Sequence, residues 1–265
     1  MQELSQLLET FLQHYEIVLL FFVIAILYSS VGFGGGSSYL AILALTALTF
    51  TQIRATALLC NIVVVTSGTI IYAKNGFYNW KKVIPLVALS IPMSFLGGYL
   101  KISQTFFYIL LGITLITAAV FMWMSKYITK ISTEYNWKKS IYKDGFFGGI
   151  IGLISGMVGI GGGVFLAPLL HLTNWDTPKR IAATASFFIL VNSIAGLIGQ
   201  FQSSNLEGDL IINWNLIIPL MLTVFVGGQI GSRLSAKKVS PQFIKRSTAV
   251  LITIVGLRIL WKYLY

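Results

Sequence analysis

Hydrophobic and polar positions divide the chain into eight apolar blocks, at 15–50, 55–73, 80–100, 105–124, 145–172, 181–200, 214–234 and 243–263. Short polar connections separate them. Most blocks are close to the ~20 residues that a helix needs to cross about 30 Å of hydrocarbon. The first and fifth differ, because glycine interrupts both. Gly32-Phe33-Gly34-Gly35-Gly36 stands in one and Gly159-Ile160-Gly161-Gly162-Gly163 in the other, 127 residues apart.

Other residues repeat as well. Trp80, Pro85, Gly97 and Leu100 recur as Trp214, Pro219, Gly231 and Leu234 at a constant offset of 134, and Arg54 follows the first glycine motif much as Arg180 follows the second. The chain therefore divides into two homologous halves, 1–125 and 144–265, joined by a polar linker at 126–143. Internal duplication of this kind is a common way to build a transporter.

Positive charge orients the blocks, since Lys and Arg favour the cytoplasmic side. The rich connections are 74–82, 125–143, 171–180 and 233–246, which together hold fifteen of the 19 Lys and Arg. If the first and fifth blocks each crossed once, two five-charge connections would fall on opposite sides. If each block is instead a hairpin bent at its glycines, all four rich connections lie inside. The second arrangement places both termini outside and makes the halves inverted repeats. The second arms, 37–49 and 164–173, would be only about 20 and 15 Å long as helices. They cannot cross fully, so the glycine tips fall near the bilayer midplane. The predicted fold is an all-α integral membrane protein of two inverted repeats, each a glycine-broken helical hairpin followed by three transmembrane helices.

Composition agrees with membrane residence. The 265 residues are 56% hydrophobic and only 10% charged, against roughly a quarter charged in a soluble domain. The net charge of +11 sits in clusters between apolar runs, so it does not point to nucleic acid. Cys60 is the single cysteine and His14 and His171 the only histidines, which excludes an intrachain disulfide and argues against Cys- or His-built metal centres. The first fourteen residues carry Glu3 and Glu9 but no Lys or Arg, unlike the positive opening of a cleavable signal peptide. Trp80, Trp123, Trp175, Trp214 and Trp261 lie at block edges, where interfacial aromatics anchor helices.

The broken hairpins carry the candidate chemistry. Glycine permits positive φ and close backbone approach, and non-helical backbone at membrane depth must face protein or a water-filled cavity. Each tip opens a helix whose N-terminal N–H groups and dipole favour an anion. The candidate substrate-binding residues are Gly34, Gly35, Gly36 and Ser37 at one tip, and Gly161, Gly162, Gly163 and Val164 at the other. Arg54 outside and Arg180 inside would attract the anion or close gates, although lipid phosphates compete for both. Asn61 and Asn192, like Thr66, Ser67, Ser186 and Ser193, would either coordinate substrate or bond across helices. His171 is a candidate proton-linked group. Gly148, Gly152 and Gly156, four apart, read as a close-packing face.

All eight acidic residues lie at block ends or in connections, so no carboxylate relay of a cation pump is available. The glycine runs lack the Lys-Ser/Thr of a phosphate-binding loop. Transport would be passive or coupled to an ion gradient, with no cofactor or resident metal. No nucleophile–base pair supports a membrane enzyme.

The glycine breaks, with the second reading Gly-Met-Val-Gly-Ile-Gly-Gly-Gly-Val-Phe-Leu-Ala-Pro-Leu at 156–169, resemble the sulfite exporter TauE/SafE family, also called the toluene sulfonate uptake permease family. Arg-Ile-Ala-Ala-Thr-Ala-Ser at 180–186 and Gly-Ser-Arg-Leu at 231–234 resemble it too. The first copy departs from the second: Ala41 stands where Pro168 stands, and Ser37-Ser38 replace Val164-Phe165. The resemblance implies a carrier of sulfite, sulfonates, sulfoacetate or related anions. The expectation is a secondary transporter in a bacterial cytoplasmic membrane, with export the expected direction, moving a small sulfur-containing anion by alternating access. An anion channel, or a carrier of another small carboxylate or oxyanion, is the alternative. Its partners would be that substrate, the lipid bilayer and an unspecified coupling ion.

Overall fold

The computed structural model describes residues 15–30, 33–124, 137–173, 175–205, 214–234 and 241–264. The described residues form ten helices: α1 (Tyr15–Ser29), α2 (Gly36–Leu43), α3 (Phe50–Lys74), α4 (Trp80–Tyr99), α5 (Gln104–Met124), α6 (Trp137–Val158), α7 (Gly163–Leu172), α8 (Pro178–Asn205), α9 (Trp214–Leu234) and α10 (Pro241–Leu264). Among the described residues six helices, α3 to α6, α8 and α9, contain stretches long and apolar enough to span a membrane. The protein is all-α and multi-pass. Most of the linker expected at 126–143, together with Glu3, Glu9, His14, Gly32, Glu134, Glu207 and Asp209, lies outside the described residues. Residues 137–143 of that linker are already part of α6.

Both glycine-interrupted blocks break where the sequence places the breaks. Gly35 takes φ 86°, and Gly159, Gly161 and Gly162 take φ 86°, 79° and 80°. That left-handed region excludes most side chains and ends a regular helix. The second arms are short: α2 has 8 residues and α7 has 10, or about 12 and 15 Å at 1.5 Å per residue. Neither could cross the bilayer alone. Every residue of α2 is buried, as befits a helix enclosed by protein on all sides. A capping box then starts α3, with Gln52 N donating to Thr49 Oγ1 at 3.3 Å and Thr49 N to Gln52 Oε1 at 3.2 Å, the reciprocal pairing that fixes a helix entry.

Glycine faces set the close packing. On α6, Gly148, Gly152 and Gly156 lie directly against the carbonyl oxygens of Leu86, Ser90 and Ser94, where any Cβ would clash. Helices α4 and α6 therefore run parallel in near backbone contact, the small-residue packing expected of these three positions. On α9, Gly227 meets Ala25 and Phe22, and Gly231 meets Ser29 and Ile26, so α9 and α1 pack in the same parallel manner. Two other pairs run antiparallel. Gln200 Nε2 donates to Thr51 O at 2.7 Å at one end of the α3–α8 pair, and Thr69 and Ser186 share a hydroxyl bond of 3.0 Å near the other. Along α5 and α10, Tyr108 stacks on Tyr263 with centroids 4.3 Å apart, while Gly112 meets Leu260 and Gly256 meets Ile116.

One expectation is corrected. Trp80, Trp123, Trp214 and Trp261 are about half exposed or more, as anchors at an interface should be, but Trp175 is only 2% exposed. Its Nε1 donates to Asp144 Oδ2 at 3.0 Å, and its carbonyl accepts from Lys82 Nζ at 2.5 Å. A buried indole needs such a partner for its N–H, and Asp144 lies 31 positions away, too far for local sequence reading to find.

Candidate functional site

The two glycine tips meet. A Cβ on Gly36 would lie 2.6 Å from the Ile160 carbonyl oxygen, which belongs to the opposite tip. Between them stands Asn61 of α3, fully buried, whose Nδ2 donates to Ile160 O at 3.0 Å. The same amide packs against Gly34, Gly36 and Gly161, which tolerate it only because they carry no side chain.

Around this junction opens a narrow cavity that reaches solvent. It is lined by Tyr28, Phe33, Gly34, Gly35, Gly36, Ser37, Asn61, Ile160, Gly163, Val164, Ala167, Pro168, His171 and Ile189. The lining is apolar apart from a few convergent polar groups, the usual make-up of a small-ligand site. Tyr28 and Ser38 hold each other through a buried hydroxyl bond of 2.8 Å beside it.

Two helices begin at its wall. In α2 the first bonds run from Ser38 N and Tyr39 N to Gly35 O at 2.9 and 3.0 Å. In α7 they run from Phe165 N and Leu166 N to Gly162 O, both at 3.1 Å. The N–H groups of residues 36, 37, 163 and 164 therefore make no bond within either helix. They are the orphan donors of a helix start, set at the positive end of each dipole. No described carboxylate lines the cavity, so what it offers is suited to negative charge.

Of the sequence-predicted site residues, Gly34, Gly35, Gly36, Ser37, Asn61, Gly163 and Val164 line this cavity. Gly161 and Gly162 lie just behind it. A Cβ on Gly161 would come 2.8 Å from Ser193 Oγ, and one on Gly162 2.8 Å from the Phe188 ring. Asn192 is buried away from the cavity lining and ties helices together, its Nδ2 donating to Ser90 Oγ at 3.0 Å and to Phe188 O at 2.8 Å. Ser186 likewise bonds across to Thr69, whereas Thr66 and Ser67 bond back to their own helix at Ile62 O and Val64 O.

The two arginines are not equivalent. Arg54 is 3% exposed, and its Nη2 donates to Gly156 O at 3.0 Å and, at greater length, to Gly98 O and Gly97 O. Arg180 is 45% exposed and pairs with Asp176 at 3.7 Å, beside the closer Lys82–Asp176 bridge of 3.1 Å. Neither lines the tip cavity. The sequence comparison of Arg54 with Arg180 chose the wrong register: Ala55-Thr56-Ala57 repeats as Ala183-Thr184-Ala185. That register places Ala182 at the position of Arg54 and Ile189 at the position of Asn61. Gly36 packs against Asn61 just as Gly163 packs against Ile189. This alignment was the available signal for Ile189; Tyr28, Phe33 and His171 reach the cavity through tertiary packing.

The chain is similar to proteins described as probable membrane transporters, to one of them along nearly its whole length. It is 34% identical over 243 residues to a "probable membrane transporter protein" of Sinorhizobium fredii, covering 91% of this chain and 96% of that one. A second of the same description, from Methanocaldococcus jannaschii, is 30% identical over 192 residues, 70% of each chain. A third, from Bacillus subtilis, is 25% identical over 116 residues, covering 44% of this chain and 40% of that one. No solved structure matches the chain. The model of the family described as "Sulfite exporter TauE/SafE" matches residues 17–259, and with all six candidate spans inside that match the chain belongs to this family of membrane transporters.

Proposed function

We propose that the protein is a secondary carrier of a small sulfur-containing oxyanion, sulfite or an organosulfonate, that works by alternating access around the two glycine tips. The observation that carries the reading is the opposition of two helix starts across one cavity. Residues 36, 37, 163 and 164 present unbonded N–H groups there, and no described carboxylate faces them. This is the broken-helix arrangement by which transporters hold anions without a buried cation at the site. The family description makes sulfite the first substrate to test.

The inverted-repeat reading has independent support. Helices α3 and α8 hold corresponding places in the two halves and lie antiparallel, and so do α5 and α10. The parallel pair α4–α6 has its counterpart in α9–α1. Halves of opposite orientation give each tip its own side of the membrane to open toward, with both termini outside the plasma membrane. His171, in the cavity wall, is the candidate proton-linked group of this carrier when sulfite is the substrate.

The test is counterflow in proteoliposomes. With the membrane potential clamped by valinomycin and equal potassium on both sides, vesicles loaded with unlabelled sulfite and diluted into a trace of labelled sulfite should transiently concentrate the label, because a carrier returns occupied. Flux that dissipates gradients without any such overshoot belongs to a channel and overturns the alternating-access reading.

A further inference from the structure

Arg54 presents a problem that the tip cavity does not solve. Its guanidinium is buried and its Nε has no hydrogen-bond partner. Among the described residues no carboxylate pairs with it. The carbonyls of Gly97 and Gly98 near the C-terminus of α4, and of Gly156 near that of α6, supply the negative ends of two dipoles. They offset part of the cost of a buried cation, but an unpaired one still costs several kcal/mol.

The side chain lines a second cavity, distinct from the tips, of about 550 Å³ including its open part. The wall also includes Thr51, Lys101, Gln200, Ser203 and Ser204, from the start of α3, the connection after α4 and the end of α8. Gln200 is 2% exposed. Thr51 O holds its Nε2 at 2.7 Å, while its Oε1 has no partner. The cavity wall thus holds a fixed buried cation, three hydroxyl side chains and one orphaned acceptor.

We infer that this second cavity is a binding site for a small oxyanion, which supplies the counter-charge Arg54 lacks. The oxyanion faces Arg54 with its oxygens and meets the Ser203 and Ser204 hydroxyls. A protonated form such as hydrogensulfite also donates to Gln200 Oε1. The class of ligand rests on the carrier reading above, but the site stands on its own geometry. It adjoins the transport path through backbone: Gly156, the acceptor nearest Arg54, and Gly159, where a Cβ would lie 3.2 Å from Arg54 Cα, lead directly into the second tip. An anion held here waits beside the tip without touching it.

Equilibrium binding of labelled sulfite to the purified full chain in detergent tests the proposal. The expected stoichiometry is two ions per chain. Gln200→Glu places a carboxylate in the wall that Arg54 lines and should remove one ion, or weaken it at least tenfold. Ser203→Asp, at a half-buried and more tolerant position, should do the same if the first variant folds poorly. Gly35→Val should remove the other ion and leave this one. If both carboxylate variants bind as many ions as the unaltered chain and as tightly, the site is overturned. If the tip reading fails instead, the unaltered chain binds one ion that Gly35→Val spares and both carboxylate variants remove. Repeating the binding in phosphatidylglycerol nanodiscs separates the sources: loss of this ion there assigns the site to a lipid phosphate, and its retention assigns it to the free anion. Either outcome keeps the oxyanion chemistry.

Discussion

Asn61 Nδ2 donates to the Ile160 carbonyl at 3.0 Å, so a long helix of the first half is pinned to the glycine tip of the second. The bond crosses 99 positions of sequence and joins two elements that the proposed alternating access would have to separate. Its other end is unfinished, because Asn61 Oδ1 is buried with no partner and the residue lines the cavity. Asn61 thereby both ties α3 to the second tip and lines the cavity between the tips.

This tie separates two variants. Asn61→Leu removes the donor and leaves Ile160 O without its partner, which costs about 1–3 kcal/mol. It should lower the melting temperature and reduce transport moderately. Asn61→Asp keeps the shape but brings a carboxylate to the anion cavity, so sulfite binding should fall at least tenfold beyond the leucine variant. Binding measurements on both proteins check the order, and equal losses would remove Asn61 from the site.

Glycine at the tips is required by conformation and by space together. Gly35→Val and Gly162→Val must place a β-branched side chain at φ 86° and 80°, with Cβ atoms 3.0 Å from Ile24 and 2.8 Å from Phe188. Backbone strain of this kind costs of order 1–3 kcal/mol before any clash. Both variants should insert in the membrane yet lose at least 90% of transport. Gly76 is the control: its φ is +68° but nothing lies within 4 Å of its Cβ position. Gly76→Asn should transport at near wild-type rates in the same proteoliposome assay.

Orientation can be read with single cysteines. Native Cys60 is free and buried, so background labelling of intact cells should be low. Because the positive connections sort to one side only when both glycine blocks are hairpins, a cysteine at position 5 should react with an impermeant maleimide and one at position 135 should not. Labelling at 135 but not at 5 reverses the proposed topology.

Much of this architecture was legible in the chain. Apolar blocks near 20 residues gave the spans, and the triple glycines gave the breaks, because glycine alone sits readily at positive φ with neighbours this close. The four-residue spacing of Gly148, Gly152 and Gly156 gave a packing face. What escaped were facts of tertiary register. Arg54 and Arg180 look alike in sequence because each follows a glycine motif, yet one is enclosed by the carbonyls of two distant helix ends and the other lies in a surface ion pair. Trp175 looks interfacial by position, but the carboxylate of Asp144 takes its N–H and lets it bury. Which partner completes a polar side chain is set by helices that no local pattern brings together.

Charge should be the first selector of the carrier. The tip cavity offers N–H donors and two dipole ends, and no described carboxylate lines it. A helix terminus contributes up to about 2 kcal/mol in a partly buried setting, so two together favour an anion over a neutral isostere by about 2–4 kcal/mol, or ~30- to 1000-fold. Ethanesulfonate should therefore bind and ethanesulfonamide, nearly the same size, should not. Taurine, whose ammonium faces the same positive ends, should fall between them. The arginines should now act differently from each other. Arg180→Gln, which breaks only an exposed pair worth less than about 1 kcal/mol, should change uptake less than threefold. Arg54→Gln strips three carbonyls of a charged donor but also removes an uncompensated buried cation, so stability should change little while transport falls. Arg54→Lys should recover little, because a single ammonium cannot reproduce the planar fork. Calorimetry with the two ethane derivatives on the purified protein decides the central point: equal affinity would remove the anion site, and a ratio above thirty in favour of the sulfonate would support it.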